Sequence, residues 1–293
     1  MKFNSPITLL LVTGLAFGCN FPLGKMAVEA GVNPAVWAVV ICFGAGVTVL
    51  VAARLFEEAH PQPVPGMMRY AVTSSLVSNV IPLTLTFSAM PHIGAGLTAI
   101  LVATSPISTA LLSMLFKVRP PRLLDLAGLA LGLVGAIIIV IARHQFLPGG
   151  STGWLLAAAS IPLFLGAGNV YRSLGWPRGA APMRLGAAVN LAAVPPLLLL
   201  AGLQGELSLS GLTQVPVLVA VQLAAATLMY ITFFRLQAVG GPTYLSQIGY
   251  VAAAVGVGIG VSLLGERYPP LVWLGIGVIA LGIALTSLSQ RRR

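Results

Sequence analysis

The chain has 293 residues, of which 57% are hydrophobic and only 8% charged, and its mean hydropathy is +0.97. Too few polar groups exist to coat a soluble particle, so the composition predicts an all-α integral membrane protein with no room for a soluble domain. The net charge of +10 does not point to nucleic acid, because the bases stand singly between apolar runs and no basic patch is interleaved with aromatics.

A bilayer-spanning helix needs about 20 predominantly apolar residues. Punctuation by Pro, Gly and charge divides the chain into ten such runs: 5–27, 34–55, 67–90, 93–116, 122–142, 152–175, 181–202, 213–236, 243–264 and 269–289. The first contains GLAFGCNFPLGKMA, residues 14–27, in which Asn20, Pro22 and Lys25 stand among apolar neighbours. Asn20 is tolerable in hydrocarbon if it faces a polar cavity, and Pro22 frees a backbone carbonyl that such a cavity can hydrate. Lys25 lies near enough to the outer surface to snorkel. A competing reading takes Lys2 and the apolar run up to Cys19 as a cleaved lipoprotein leader, which would leave nine spans. Cys19 and Cys42 both fall in apolar segments and read as small hydrophobes rather than as a disulfide or metal ligands.

The longest connection, Glu57 to Gly66, contains HPQPVPG and reads as a loop. Span three then carries Ser75, Ser78, Asn79, Pro82 and Thr86 at helical spacing, one stripe on one face. His92, at the outer tip between spans three and four, is expected to be a solvated loop residue. Span four offers Thr98, Ser105 and Thr109, with Pro106 inside it; span six holds Pro162, and Trp154 near its start reads as a lipid-facing anchor. Span nine offers Thr243, Gln247 and Tyr250, and span one Thr13, Phe17, Asn20 and Gly24.

These stripes could converge on a cavity for a small molecule. For any single Ser or Thr, a bond to its own helix backbone is the default, and an amide can simply join two helices for about 1 kcal/mol. Amides near the bilayer centre are costly unless satisfied, which shifts Asn20, Asn79 and Gln247 toward a cavity role. The expected substrate contacts are Asn20, Asn79, Gln247, Tyr250, Phe17, Ser78 and Ser105, with Pro22, Pro82, Pro106 and Pro162 as hinge candidates. Catalysis has almost no material. The acids Glu29, Glu57, Glu58, Asp125, Glu206 and Glu266 lie at or near predicted helix ends, as do the histidines, and no HExxH, GxSxG or intramembrane Asp pair is present. No metal or cofactor is expected.

Basic residues favour the cytoplasmic side, and with the N-terminus inside they divide 13 to 3, the outer set being Lys25, Arg143 and Arg267. That bias predicts both termini in the cytoplasm. A weak self-similarity at a shift of 147 pairs Phe87 with Phe234, Gly94 with Gly241, Gly128 with Gly275 and Gly135 with Gly282, while Asn20 falls opposite Asn169 and Pro34 opposite Pro182. Five spans per repeat is an odd number. The expected architecture is therefore ten helices as two inverted five-helix repeats, residues 1–145 and 146–293, a recurrent transporter plan.

The layout, the GCNFPLGK segment of span one and LLGERYPPLVWLGIGVIALG over residues 263–282 together resemble the ten-helix drug/metabolite transporter superfamily of EamA type. In that family each half typically closes with a Gly-Glu-Arg turn before its last helix. Gly265, Glu266 and Arg267 keep it, whereas Lys117, Val118 and Arg119 depart from it. The chain looks most like the YddG-like branch, and that likeness implies export of aromatic and other amino acids from bacteria. The expected protein is an inner-membrane exporter working by alternating access around a site between the inverted halves, and its oligomeric state, a monomer among the options, stays open. Smaller drug-exporting relatives are known for a glutamate in their first helix, where this chain has Asn20. The alternatives are an exporter of lipophilic cations or other small metabolites and, in a different class, a receptor or assembly subunit that transports nothing.

Overall fold

The computed structural model describes residues 5–56, 64–117, 123–144, 151–204 and 210–291, and the regular structure among them is helical throughout. The first half holds α1 (Pro6–Glu29), α2 (Pro34–Phe56), α3 (Met67–Ser75), α4 (Ile81–Ile93), α5 (Ala95–Val102), α6 (Ser105–Leu115) and α7 (Leu123–His144). The second holds α8 (Ser151–Gly175), α9 (Pro182–Leu203), the short α10 (Ser210–Gln214), α11 (Pro216–Ser262) and α12 (Pro270–Arg291). Seven helices are long and apolar enough to cross a membrane, and shorter apolar stretches lie at Leu126–Gly135, Ile248–Ser262 and Pro270–Gly282. The predicted loop 57–66 and the residues Val118 and Arg119 fall largely outside the described residues.

Proline opens α1, α2, α9, α11 and α12, where its missing N–H removes a donor that would have had no partner. At α2 the Asn33 side chain adds a cap, its Oδ1 accepting from the amides of Ala35 (2.8 Å) and Val36 (3.2 Å). Proline inside a span has the opposite effect. Pro82 follows a single π-helical turn, Leu76–Val80, and the wider turn makes room for a ring that would otherwise strike the carbonyl of Ser78. Pro106 sits at the start of α6, after the break at Ala103 and Thr104 that separates it from α5. Pro22 and Pro162 are carried inside α1 and α8.

One element joins two expected spans. Residues 213–236 and 243–264 read as two helices, and both are limbs of α11, which runs from Pro216 to Ser262, 47 residues. A straight helix of that length would measure about 70 Å, more than twice the hydrocarbon thickness. Its two limbs instead lie against α1 in opposite directions: Asn20 meets Gln222 and Thr13 meets Thr232, whereas Gly14 meets Val251 and Gly18 meets Val255. The chain therefore reverses between Leu236 and Leu245, which share a small apolar cluster with Leu9, Leu10 and Ile248.

The most extensive packing joins helices from different halves: α1 with α11, α7 with α12, α2 with α9, and α6 with α8. Small residues allow the closest approaches. A Cβ at Gly135 would meet the Gly275 carbonyl oxygen at 2.7 Å, and one at Gly282 would meet the Gly128 carbonyl oxygen at 2.6 Å, so α7 and α12 touch backbone to backbone. Left-handed turns recur 148 positions apart. Gly31 (φ 88°) corresponds to Gly179 (φ 78°), and Lys117 (φ 53°) to Gly265 (φ 64°), so the first-half turn keeps its shape without its glycine.

Candidate functional site

A cavity opens in the middle of the bundle between α1, α4, α6, α8 and α11, enclosing about 970 Å³ of empty space counted to its open mouth. Its walls are mostly apolar and strongly aromatic, with Phe17, Phe21, Phe87, Tyr230 and Phe233, and its polar lining includes Thr13, Asn20, Ser78, Asn79, Ser105, Asn169 and Arg172. Helical spacing explains the convergence: Thr13, Phe17 and Asn20 share one face of α1, while the π-turn swings Ser78 and Asn79 inward beside Pro82 and Thr86.

The structure thus brings together Phe17, Asn20, Ser78, Asn79 and Ser105 of the expected contacts. Tyr250 is half-buried and does not line the cavity, although its neighbours Ile248 and Gly249 do. It sits on a different face of its helix. Gln247 falls in a stretch of α11 whose side chains lie outside the described residues. Ser75, Thr98 and Thr109 follow the default for hydroxyls, each bonding a carbonyl of its own helix turn.

The two asparagines face the cavity but are already engaged. Asn20 Nδ2 donates to the carbonyls of Ala16 (3.0 Å) and Phe17 (3.1 Å), and its Oδ1 accepts from Gln222, a fully buried residue of α11. Asn79 Nδ2 donates to Asn190 Oδ1 (3.2 Å), and Asn190 donates in turn to Gly186 O (2.9 Å), tying α9 to the π-turn. Both amides join helices. Among the lining residues, two polar atoms are buried without a partner: Ser78 Oγ and Arg172 Nε.

Arg172 corrects the charge map. Its place near the end of span six puts it among the cytoplasmic bases, but it is turned into the bundle and is only 6% exposed. One nitrogen donates to Asn169 Oδ1 at 2.6 Å, and the guanidinium lies 5.1 Å from the centre of the Phe233 ring. Among the described residues no carboxylate pairs with it. A sequence signal existed: Asn169 and Arg172 are three apart, on one face of a helix whose Gly166 and Gly168 admit neighbours closely.

A second charged cluster closes one end of the bundle. Glu266, just before α12, accepts from Lys25 Nζ (2.8 Å), from the amides of Ala95 (2.6 Å) and Gly96 (3.0 Å), and from the Tyr268 hydroxyl. It thereby caps the start of α5, where Gly94 (φ 89°) turns the chain. Burial pushes the Glu266 carboxyl up, but the four hydrogen bonds together outweigh it and hold the group below the ordinary carboxylate range. Lys25 therefore does not snorkel; its side chain is 13% exposed and pairs with Glu266, with Glu29 at 3.8 Å. Nor is Trp154 simply a lipid anchor: it stacks on His92, exposed in the last turn of α4, at 4.6 Å between ring centres. Among the described residues no three His, Cys, Asp or Glu side chains come together as metal ligands.

A helical bundle with seven helices of membrane-crossing length and an open polar and aromatic cavity in its middle defines an integral membrane protein with room for a small molecule. Residues 4–141 match the profile of the EamA-like transporter family. It is 28% identical to the uncharacterized inner membrane transporter YedA of Escherichia coli K12 over 299 aligned positions, covering 99% of this chain and 94% of that one. The same likeness holds for YedA of Escherichia coli O157:H7. A crystal structure superposes with a TM-score of 0.68 over 99% of this chain and 100% of its own, at 18% identity, a likeness of fold alone.

Proposed function

We propose that the chain exports neutral amino acids with sizeable apolar or aromatic side chains across the bacterial inner membrane, by alternating access around the central cavity. The observation that carries the reading is the cavity lining, in which five aromatic side chains face amides and hydroxyls while no acid lines it among the described residues. A lipophilic cation held in low dielectric would need a carboxylate to offset its desolvation. A zwitterion can be met by neutral dipoles, with its side chain against the aromatic wall.

The export mechanism rests on an arrangement of ten spans as two inverted five-helix repeats, 1–145 and 146–293. The recurring left-handed turns and the reversal of α11 support it. Both termini lie in the cytoplasm in this reading, because removing Arg172 from the inner set still leaves 12 bases against 3. Pro22, Pro82, Pro106 and Pro162 are the hinges of this reading, and Gln247 remains among its proposed substrate contacts. Purified protein reconstituted into liposomes should take up labelled phenylalanine, and unlabelled neutral amino acids should compete better than quaternary cations. A viologen that displaces the label better than every amino acid would replace this reading with drug export.

A further inference from the structure

Arg172 lies within a membrane-spanning helix, is almost wholly buried, and has no carboxylate partner among the described residues. An arginine in that setting is costly, and the cost is ordinarily offset by a counter-ion or by water. Here its partners are one amide oxygen and one aromatic face, and Nε is left with none. The guanidinium presents a planar fork suited to two parallel bonds to a carboxylate, a geometry that lysine lacks.

The surroundings of that fork fit a ligand rather than a structural ion pair. Ser78 Oγ, the other unpartnered polar atom of the lining, packs against Gly168, one helical turn from Arg172 on the same face of α8. One turn is about 5.4 Å, so a single carboxylate could face both groups. Phe17, Tyr230 and Phe233 line the same cavity and offer an apolar wall beyond the charged end. We infer that Arg172, assisted by Ser78, is the carboxylate-recognising element of the transport site, and that the carboxylate rather than the ammonium group of a substrate decides whether it is carried. The inference rests on the substrate reading above for the location of the site. It goes further in extending the substrate class to monocarboxylates that carry an apolar group and no amine.

Three probes of similar shape separate the groups: phenylalanine, 3-phenylpropionate, which lacks the ammonium, and phenethylamine, which lacks the carboxylate. Binding to the purified full-length protein in detergent is read by the shift in melting temperature and by equilibrium dialysis of labelled probe. Phenylalanine and 3-phenylpropionate should bind and phenethylamine should not. Arg172→Gln should weaken carboxylate binding about 10–100-fold, the loss of a charge-assisted bidentate contact, while Arg172→Lys should recover part of it and Ser78→Ala should lose less. Phenethylamine binding as tightly as 3-phenylpropionate overturns the inference without recourse to any variant, as does a flat response to both carboxylates. Wild-type carboxylate binding by folded Arg172→Gln overturns it too. Should 3-phenylpropionate bind and phenylalanine not, the amino-acid reading fails while the role of Arg172 stands.

Discussion

The Glu266 cluster and the Arg172 pocket each bury a full charge in a largely apolar bundle, and they resolve the cost in opposite ways. Glu266 is surrounded: a lysine, a tyrosine and two backbone amides saturate its oxygens and tie α1, α5 and the start of α12 together. Arg172 has one hydrogen-bond acceptor, Asn169 Oδ1, and a nitrogen with none. A saturated charge holds elements in place. A charge left wanting, at the wall of a cavity, is free to bind something that comes and goes, and the stability it sacrifices is what a ligand restores.

That contrast predicts stability changes of opposite sign. Glu266→Ala strands Lys25 and the α5 amides and should cost about 3–5 kcal/mol, seen as a large fall in melting temperature in detergent. Because the folded carboxyl titrates below its usual range, its contribution is complete above the unfolded value of about 4.3 and disappears as pH falls below it through the folded value. Glu266→Gln should flatten that acid-side loss. Arg172→Met, by contrast, should raise the melting temperature, a gain of about 1–3 kcal/mol from removing an unpaired buried charge. If Arg172→Met destabilises as strongly as Glu266→Ala, Arg172 is structural and the contrast collapses.

Two smaller substitutions sharpen the boundary between holding and binding. Asn79→Ala breaks the bond to Asn190 and should cost about 0.6–1.7 kcal/mol, the worth of an interhelical polar contact in a membrane. Differential scanning of the purified variant checks it, and an unchanged melting temperature would return Asn79 to the binding group. Lys117→Gly relieves a left-handed lysine and should stabilise by at most about 1 kcal/mol, offset in part by the flexibility glycine adds to the unfolded chain. A loss of stability there would mean the lysine side chain, rather than its backbone, matters to the turn.

Much of the helical layout follows from composition and punctuation, because an apolar run of about 20 residues has few alternatives in a bilayer. The inward faces of α1 and the π-turn were likewise readable, since Phe17, Asn20, Ser78 and Asn79 repeat at helical spacing. What spacing does not show is whether an amide's hydrogen bonds are spent: Asn20 and Asn79 are satisfied by Gln222 and Asn190, partners about a hundred or more positions away. Arg172 escaped for a related reason. The charge rule counts a base near a helix end as solvent-facing, and one turn of helix decides whether it snorkels outward or folds into the bundle. Lys25 escaped in the same way, its partner Glu266 being 241 residues distant in the chain.

The pairing of α1 with α11 also bears on how the protein is made. The Asn20–Gln222 contact spans 202 residues, so at synthesis rates of about 5–20 residues per second the first helix resides in the membrane for roughly 10–40 s before its partner emerges. During that interval its polar side chains must survive among lipids. The structure contains the means: Asn20 bonds the carbonyls of Ala16 and Phe17, and the Thr13 hydroxyl lies 2.6 Å from Leu9 O, all within the same helix. The newly inserted helix therefore arrives with its side-chain donors met from within, and only the Asn20 Oδ1 acceptor awaits a partner. It can wait as a free-standing guest of the bilayer and accept its distant partner by adding a bond rather than by exchanging one.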